Sequence, residues 1–409
     1  MAIFEDHDDG SGALGFDEDV ADEFDVVAVL DSEAAIAARD PGRLLWTLAT
    51  AGAQVRAAVS QADGWRTAAL SSDDPPRAVL VATDTAADAA AGLLAELGAD
   101  RSAVIEWIRP GLPRWAGPAD VLLAASIDGR HPRIARLVAD AQRRGLVVVV
   151  VAPDDTPVAA ATGRGTHVAI EDPQTRRGAL WTLMTPLLLA GAAVGAVDLA
   201  DAAFDELADA LDKVAELARP GSDAFSNATK QLAVELVESE GVIAGIGPFS
   251  ALAARCFSNS LALFAGVTAV PLALPDDVTR AGALLDIPLG GAGGTTEDPD
   301  DFFRDRVAVA PRRRRLIFLS DVAEGEVSVR AEWREIVHDE LAHAGDLAAI
   351  ALGHLAASRR IIATTVELPA RAPLARFAAA VAFGHFTAAY AAIGRDIDPT
   401  AARAGELPH

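Results

Sequence analysis

The sequence predicts an α/β chain of two tandem three-layer αβα sandwich domains with mainly parallel sheets. Three observations predict it. Short apolar runs alternate with helical patterns of roughly 10–18 residues, and the scheme occurs twice along the chain. The apolar runs are continuous, with five valines in a row at 147–151, as expected of strands covered on both faces. A chain of 409 residues also exceeds one ordinary core. A boundary near 197–201 then gives an acidic tail at 1–23, a first domain at 24–199 and a second at 200–409.

In the first half, an apolar run at 24–30 precedes a helical pattern through Val59. Strands are expected at 77–83, 104–108, 121–126, 146–152 and 167–170, and helices at 85–97 and 177–194. An Arg-rich helix lies between the third and fourth strands. In the second half, helices are expected at 203–218 and 227–238, either side of the turn Arg219-Pro-Gly-Ser-Asp223. Strands follow at 241–246, 267–274, 316–320 and 361–368. Helices are expected at 251–264, 331–343, 345–357 and 374–392, and a loop at 289–301. The apolar run 181–197 contains Pro186 and falls short of the ~20 residues of a membrane span, so it reads as a buried core helix. The long apolar helix 374–392 is expected between domains or subunits, or inside one domain.

The net charge of -24 argues against nucleic acid, whose phosphates need a basic face. The first 38 residues hold twelve Asp/Glu and no Lys/Arg, half of that net charge. Cys256 is the single cysteine, which fits a reducing cytoplasm. No basic start or apolar signal core opens the sequence.

No Walker loop is present, and the first strand ends Ala82-Thr83-Asp84-Thr85 without the glycines of a dinucleotide fold. No cofactor is expected. The unit at 121–138 draws attention instead, because its strand ends in Ser126-Ile-Asp-Gly-Arg-His131. Ligands of open α/β sheets bind outside the carboxyl ends of the strands, where helix N-termini hold anions. Ser126 could offer its hydroxyl, Arg130 a bidentate charge, and Asp128 a cap for the following helix. A capped helix with solvated arginines is the plainer reading there, with the ligand site second. Gly245-Ile-Gly-Pro-Phe-Ser250 is a backbone turn first and an anion loop second. Glu335/His338 and Glu340/His343 spell Glu-x-x-His twice, but both pairs share one helix and point apart, so no metal is expected.

Several stretches share an order with a known family. They are Leu112-Pro-Arg-Trp115, residues 121–144 with the turn Arg144-Gly145, and Asn227-Ala-Thr-Lys230. Val366-Glu-Leu368, Leu374-Ala-Arg376, Gly384-His385, Tyr390 and Asp398-Pro-Thr400 complete them. In sum, roughly over 77–401, they resemble the sugar isomerase (SIS) domain proteins, and among those the bifunctional phosphoglucose/phosphomannose isomerases. The resemblance implies a sugar phosphate or related anionic metabolite as ligand, and a homodimer. It directs the binding residues to Thr83, Thr85, Ser126, Gly129, Arg130, His131, Gly247 and Ser250.

The departures bear on activity. The family's Ser-Tyr-Ser-Gly-Asn-Thr phosphate loop is replaced by Ser126-Ile-Asp-Gly-Arg-His131. Its base-bearing Asn-Glu-Asn-Ala-Lys segment becomes 257–264, with no carboxylate, and its ring-opening His segment becomes 274–280, with no His. No lysine follows Lys230. General-base catalysis contributes about 10²–10⁴-fold, so the expectation is a sugar-phosphate binder without isomerase activity. An isomerase with relocated groups and a non-catalytic scaffold are the alternatives.

Overall fold

The computed structural model describes residues 25–66, 70, 75–84, 89–109, 111–171, 175–286, 313–322 and 336–401, without the side chains of 336–343. The described chain opens with α1 (Val26–Leu30), α2 (Glu33–Arg39), α3 (Leu44–Ala49) and α4 (Ala51–Trp65). The first α/β unit follows: β1 (Ala78–Thr83), α5 (Ala89–Leu97), β2 (Val104–Trp107), β3 (Asp120–Ala125), α6 (Pro132–Arg144), β4 (Val147–Pro153), α7 (Pro157–Ala161) and β5 (Thr166–Ile170). Three helices, α8 (Leu180–Ala193), α9 (Asp201–Leu217) and α10 (Ala228–Val237), lead to the second. It comprises β6 (Ser239–Ile246), α11 (Pro248–Ser260), β7 (Ala269–Leu274), α12 (Val278–Asp286), β8 (Arg313–Ser320), α13 (Ile336–Ser358), β9 (Ile362–Thr365) and α14 (Pro373–Gly394).

Both sheets are parallel throughout and wound alike. The first has the order β2-β1-β3-β4-β5 and the second β7-β6-β8-β9. In each, the first strand lies between the second and the third, so the strand order reverses there. Thr83 pairs with Ala125 across the reversal in the first sheet, and Ile246 with Ser320 in the second. Every residue of β1 and β3 is buried, which explains the apolar runs at 78–82 and 121–125.

Local chemistry sets the helix limits. Pro132 starts α6 at a position where its missing N–H is not needed, and Gly145 ends it at φ 78°. Asn227 caps α10 by accepting from Thr229 N and Lys230 N. A π turn, Leu261–Ala265, continues α11. Residues 345–358 differ from the expected pair of helices, because α13 runs unbroken through Gly345. A Cβ at that position would lie 3.1 Å from Ile246 Cγ2, so glycine there permits close packing on β6.

The expected core helix at 181–197 is α8, buried along most of its length around Pro186. The C-terminal helix α14 has the length and apolarity of a membrane span, and that span is 100% buried inside the protein. It packs against α9, α10 and α11 and also meets α1 and α3. One chain therefore buries it completely without a second subunit. A helix apolar on all sides needs such surroundings.

Candidate functional site

The order β2-β1-β3-β4-β5 places a crevice at the carboxyl ends of β1 and β3, where open sheets of this order take ligands. Asp84 follows β1 directly. Its N–H donates to Ala125 O at 3.2 Å, and its Oδ2 accepts from Ile127 N at 2.6 Å. One loop amide is thus held by a carboxylate from the neighbouring strand. Ser126 is 0% exposed, and its hydroxyl lies 3.4 Å from Asp128 Oδ1. The same Asp128 oxygen accepts from Arg130 N at 2.9 Å, while its other oxygen meets Arg176 at 3.2 Å. Asp128 therefore closes its own loop instead of capping α6. That helix begins three residues after Gly129, with His131 as its N-cap and no side-chain cap bond.

Gly129 is required where it stands. Its φ is +63°, and an added Cβ would lie 2.1 Å from Thr156 Oγ1. Thr156 donates to Pro153 O at 2.8 Å, and Val158 N donates to Gly129 O at 2.9 Å. The loops after β3 and β4 thus brace each other. Thr83, at the end of β1, is 3% exposed, and its hydroxyl has no hydrogen-bond partner among the described residues. Such groups are rare in folded proteins and call for a physical explanation.

The equivalent point of the second sheet lies between β6 and β8. Gly247 turns the chain at φ 96° into α11. Asp321, directly after β8, accepts from Phe249 N at 3.1 Å and from Ser250 N at 2.6 Å. An added Cβ on Gly247 would lie 2.3 Å from Asp321 Oδ2. A helix N-terminus that could hold an external anion is here occupied by an internal carboxylate. Burial pushes the Asp321 carboxyl up, against the hydrogen bonds from Ser250 and Phe249 and the charge of Arg376. Arg376, 5% exposed on α14, donates to Ser320 O and Ala370 O, both at 2.9 Å.

The two units meet through α5 and α11, where an added Cβ on Gly92 would lie 2.7 Å from Leu252 Cδ2. Glu96, on α5, is pushed up first by burial and then by the negative charge of Asp321. His385, on α14, is held down to about 4 by burial and packs against the ring of Phe264. It is neutral at neutral pH. Nine residues of helix separate it from Arg376, roughly 13 Å of rise.

The sequence-derived residues thus fall into two places. Thr83, Ser126, Gly129 and His131 gather at the β1/β3 crevice, with Arg130 exposed at its rim. Gly247 and Ser250 lie at the β6/β8 point. Thr85 lies outside the described residues, as do the loop 289–301, Glu335 and the side chains of His338, Glu340 and His343. Among the described residues, no group of three or more His, Cys, Asp or Glu is arranged to hold a metal ion. Sequence reasoning missed Asp84, Asp321, Glu96 and Arg176. An aspartate placed directly after a strand was the available signal.

No family model and no curated protein matches this chain. Solved structures do match along nearly its whole length. One is a glucose-6-phosphate isomerase like protein from Thermus thermophilus, 17% identical, with 90% of this chain and 94% of that chain covered and a TM-score of 0.51. Another is a hypothetical protein from the same organism, 14% identical, with 92% and 91% covered and a TM-score of 0.63. A third is the C-terminal domain of glucosamine-fructose-6-phosphate aminotransferase from Francisella tularensis, 10% identical, with 87% and 97% covered and a TM-score of 0.51. The chain is similar to these proteins in fold, with two αβα sandwiches around parallel sheets, as its resemblance to the SIS domain proteins implies.

Proposed function

We propose that this chain binds a carbohydrate derivative, a sugar phosphate or related anionic metabolite, in the β1/β3 crevice without isomerising it. The observation that carries the reading is the buried Thr83 hydroxyl at the carboxyl end of β1, which lacks a partner among the described residues. A ligand oxygen would satisfy it. The names of the fold relatives, two of which mention 6-phosphate sugars, support the ligand class. Arg176 supports the charge. It already sits at the loop on Asp128, and its fork can pass to a bound phosphate.

Isomerisation needs a base that can move a proton between two sugar carbons. Asp321 has the raised carboxyl suited to that task, but its two oxygens are tied to backbone N–H groups. His385 is buried against the ring of Phe264. Both facts support a binding role over catalysis.

A second reading, a non-catalytic scaffold, is favoured by the carboxylates of Asp84, Asp128 and Asp321. They already hold loop amides that an anion would use. The proposal also includes domains at 24–199 and 200–409, an acidic tail at 1–23, a cytoplasmic location and a homodimer. Phe225, 90% exposed, supports a partner surface.

The test is a thermal-shift series with glucose 6-phosphate, fructose 6-phosphate, mannose 6-phosphate and free phosphate, followed by a coupled isomerase assay. Binding raises the midpoint by mass action. The expected result is a shift with at least one sugar phosphate, lost in Thr83→Val and Arg176→Ala, and no turnover. Turnover would refute the binding-only reading. No shift with any compound would favour the scaffold.

A further inference from the structure

A cleft of about 720 Å³, lined by none of the residues of the two strand-end sites, opens between α2, α3 and the turn joining α9 to α10. Its volume lies within the roughly 300–1,000 Å³ of small-molecule sites. Arg43, Trp46 and Glu33 line one side, and Arg219 and Pro220 the other. Nothing in the β1/β3 reading uses these residues.

Buried polar side chains fix both walls. On the α9–α10 side, Lys230 is 0% exposed and its Nζ donates to Pro220 O at 2.7 Å, Ser222 O at 2.6 Å and Leu30 O at 2.6 Å. Asn227, 1% exposed, donates to Arg219 O at 3.3 Å, and the buried Tyr390 hydroxyl donates to Ala218 O at 2.6 Å. Three buried side chains thus hold the carbonyls of one short turn. On the facing side, Asp40 accepts from Leu44 N and Leu45 N at 2.7 and 2.9 Å. Its charge is therefore used inside the wall. The next residues bend so that Arg43 takes φ 54°, a conformation side-chain-bearing residues rarely adopt.

The lining has a definite chemistry. Trp46 is 54% exposed, unusual for so large a ring. The Arg43 guanidinium lies 4.8 Å from its centroid. Stacking leaves the edge N–H groups of an arginine able to meet an anion. Arg219 spends its Nε on Ser222 Oγ, with further donors on the guanidinium. Glu33 adds an acceptor for hydroxyl groups.

We propose that this cleft is a second ligand site, for an anionic pyranose. The ring's C–H face lies on Trp46, its phosphate or carboxylate meets Arg43 and Arg219, and its hydroxyls donate to Glu33. A neutral sugar lacks the partner for the arginines, and a flat aromatic anion leaves Glu33 unused.

The full chain is titrated with glucose 1-phosphate, glucuronate, glucose and benzoate, by calorimetry and by tryptophan fluorescence. Glucose 1-phosphate and glucuronate should bind with saturable heat and quenching, and glucose and benzoate should bind at least about tenfold more weakly. Trp46→Phe should keep affinity within about threefold, because an aromatic face remains, but lose the quenching. Arg219→Ala should weaken both anionic sugars about tenfold. Thr83→Val should leave quenching unchanged, which separates this site from the β1/β3 crevice. The side chains of Trp46 and Arg219 reach solvent, and circular dichroism checks the folding of each variant. Quenching that survives in Trp46→Phe overturns the proposal, as does equal binding of glucose or benzoate, or no heat from either anionic sugar.

Discussion

Asp321 stands at the N-terminus of α11 with its Oδ1 2.6 Å from Ser250 N, a carboxylate from one strand end holding the loop of its neighbour. Asp84 holds Ile127 N in the same way across the first sheet. At each reversal point the protein supplies its own anion.

This arrangement predicts a pH dependence. Burial leaves the folded-state pKa of Asp321 above its usual value of 3.8. Between those two values the folded state keeps a proton that the unfolded state has lost, so stability falls as pH rises through the folded pKa. Asp321→Asn should remove this contribution and ease the upward shift of Glu96. Urea unfolding of both proteins from about pH 4 to pH 7 checks it. Parallel pH profiles would sink the idea.

His385 works in the opposite direction. Its folded pKa, about 4, lies below the usual 6.5. In that window the unfolded state takes up the proton first, so stability is lost on acidification. The full loss is roughly 3 kcal/mol. His385→Gln should flatten the wild-type slope across this window, read as the difference between the two unfolding curves.

Lys230 is a structural cation with three carbonyl partners. Lys230→Met would remove this donor from all three carbonyls, that of Leu30 in a buried bond, at a cost of about 3 kcal/mol. Arginine should not rescue the loss, because its planar fork cannot converge on the points met by a compact ammonium. A midpoint in chemical denaturation equal to wild type for either variant would contradict this role.

At Gly129 two effects add. Alanine at φ +63° costs about 1–2 kcal/mol, and its Cβ would also collide with Thr156. Gly129→Ala should therefore destabilise by more than the backbone term. Thr156→Ala in the same chain should recover only the steric part. Thr156→Ala alone also loses the bonds to Pro153 O and from Ala159 N, so the comparison is a double-mutant cycle, and strict additivity of the two substitutions would exclude the collision.

The strands were legible because most carry a continuous apolar run, as β1, β3 and β4 do, and the crevice followed from the position of Ser126 after one of them. The aspartates were not legible. Asp321 accepts from residues 71 and 72 positions earlier, a pairing that sheet order creates and local pattern does not encode. Asp128 read as a helix cap for a different, local reason: a side chain just ahead of the helix can bond Arg130 N inside its own loop instead, and the pattern does not separate the two. Two helices were expected at 331–343 and 345–357, whereas one helix runs through, with Gly345 packed against Ile246.

The position of α14 bears on how the protein is made. Its 22 residues come from the last part of the sequence, yet helices from near the start, α1 and α3, pack on it. During synthesis the earlier helices must wait, apolar faces uncovered, until residue 394 has left the ribosome. Folding is then governed by contacts between distant parts of the chain, a slow and aggregation-exposed regime. Ribosome-bound chains arrested before residue 373 should engage chaperones, and released chains that include the whole of α14 should not.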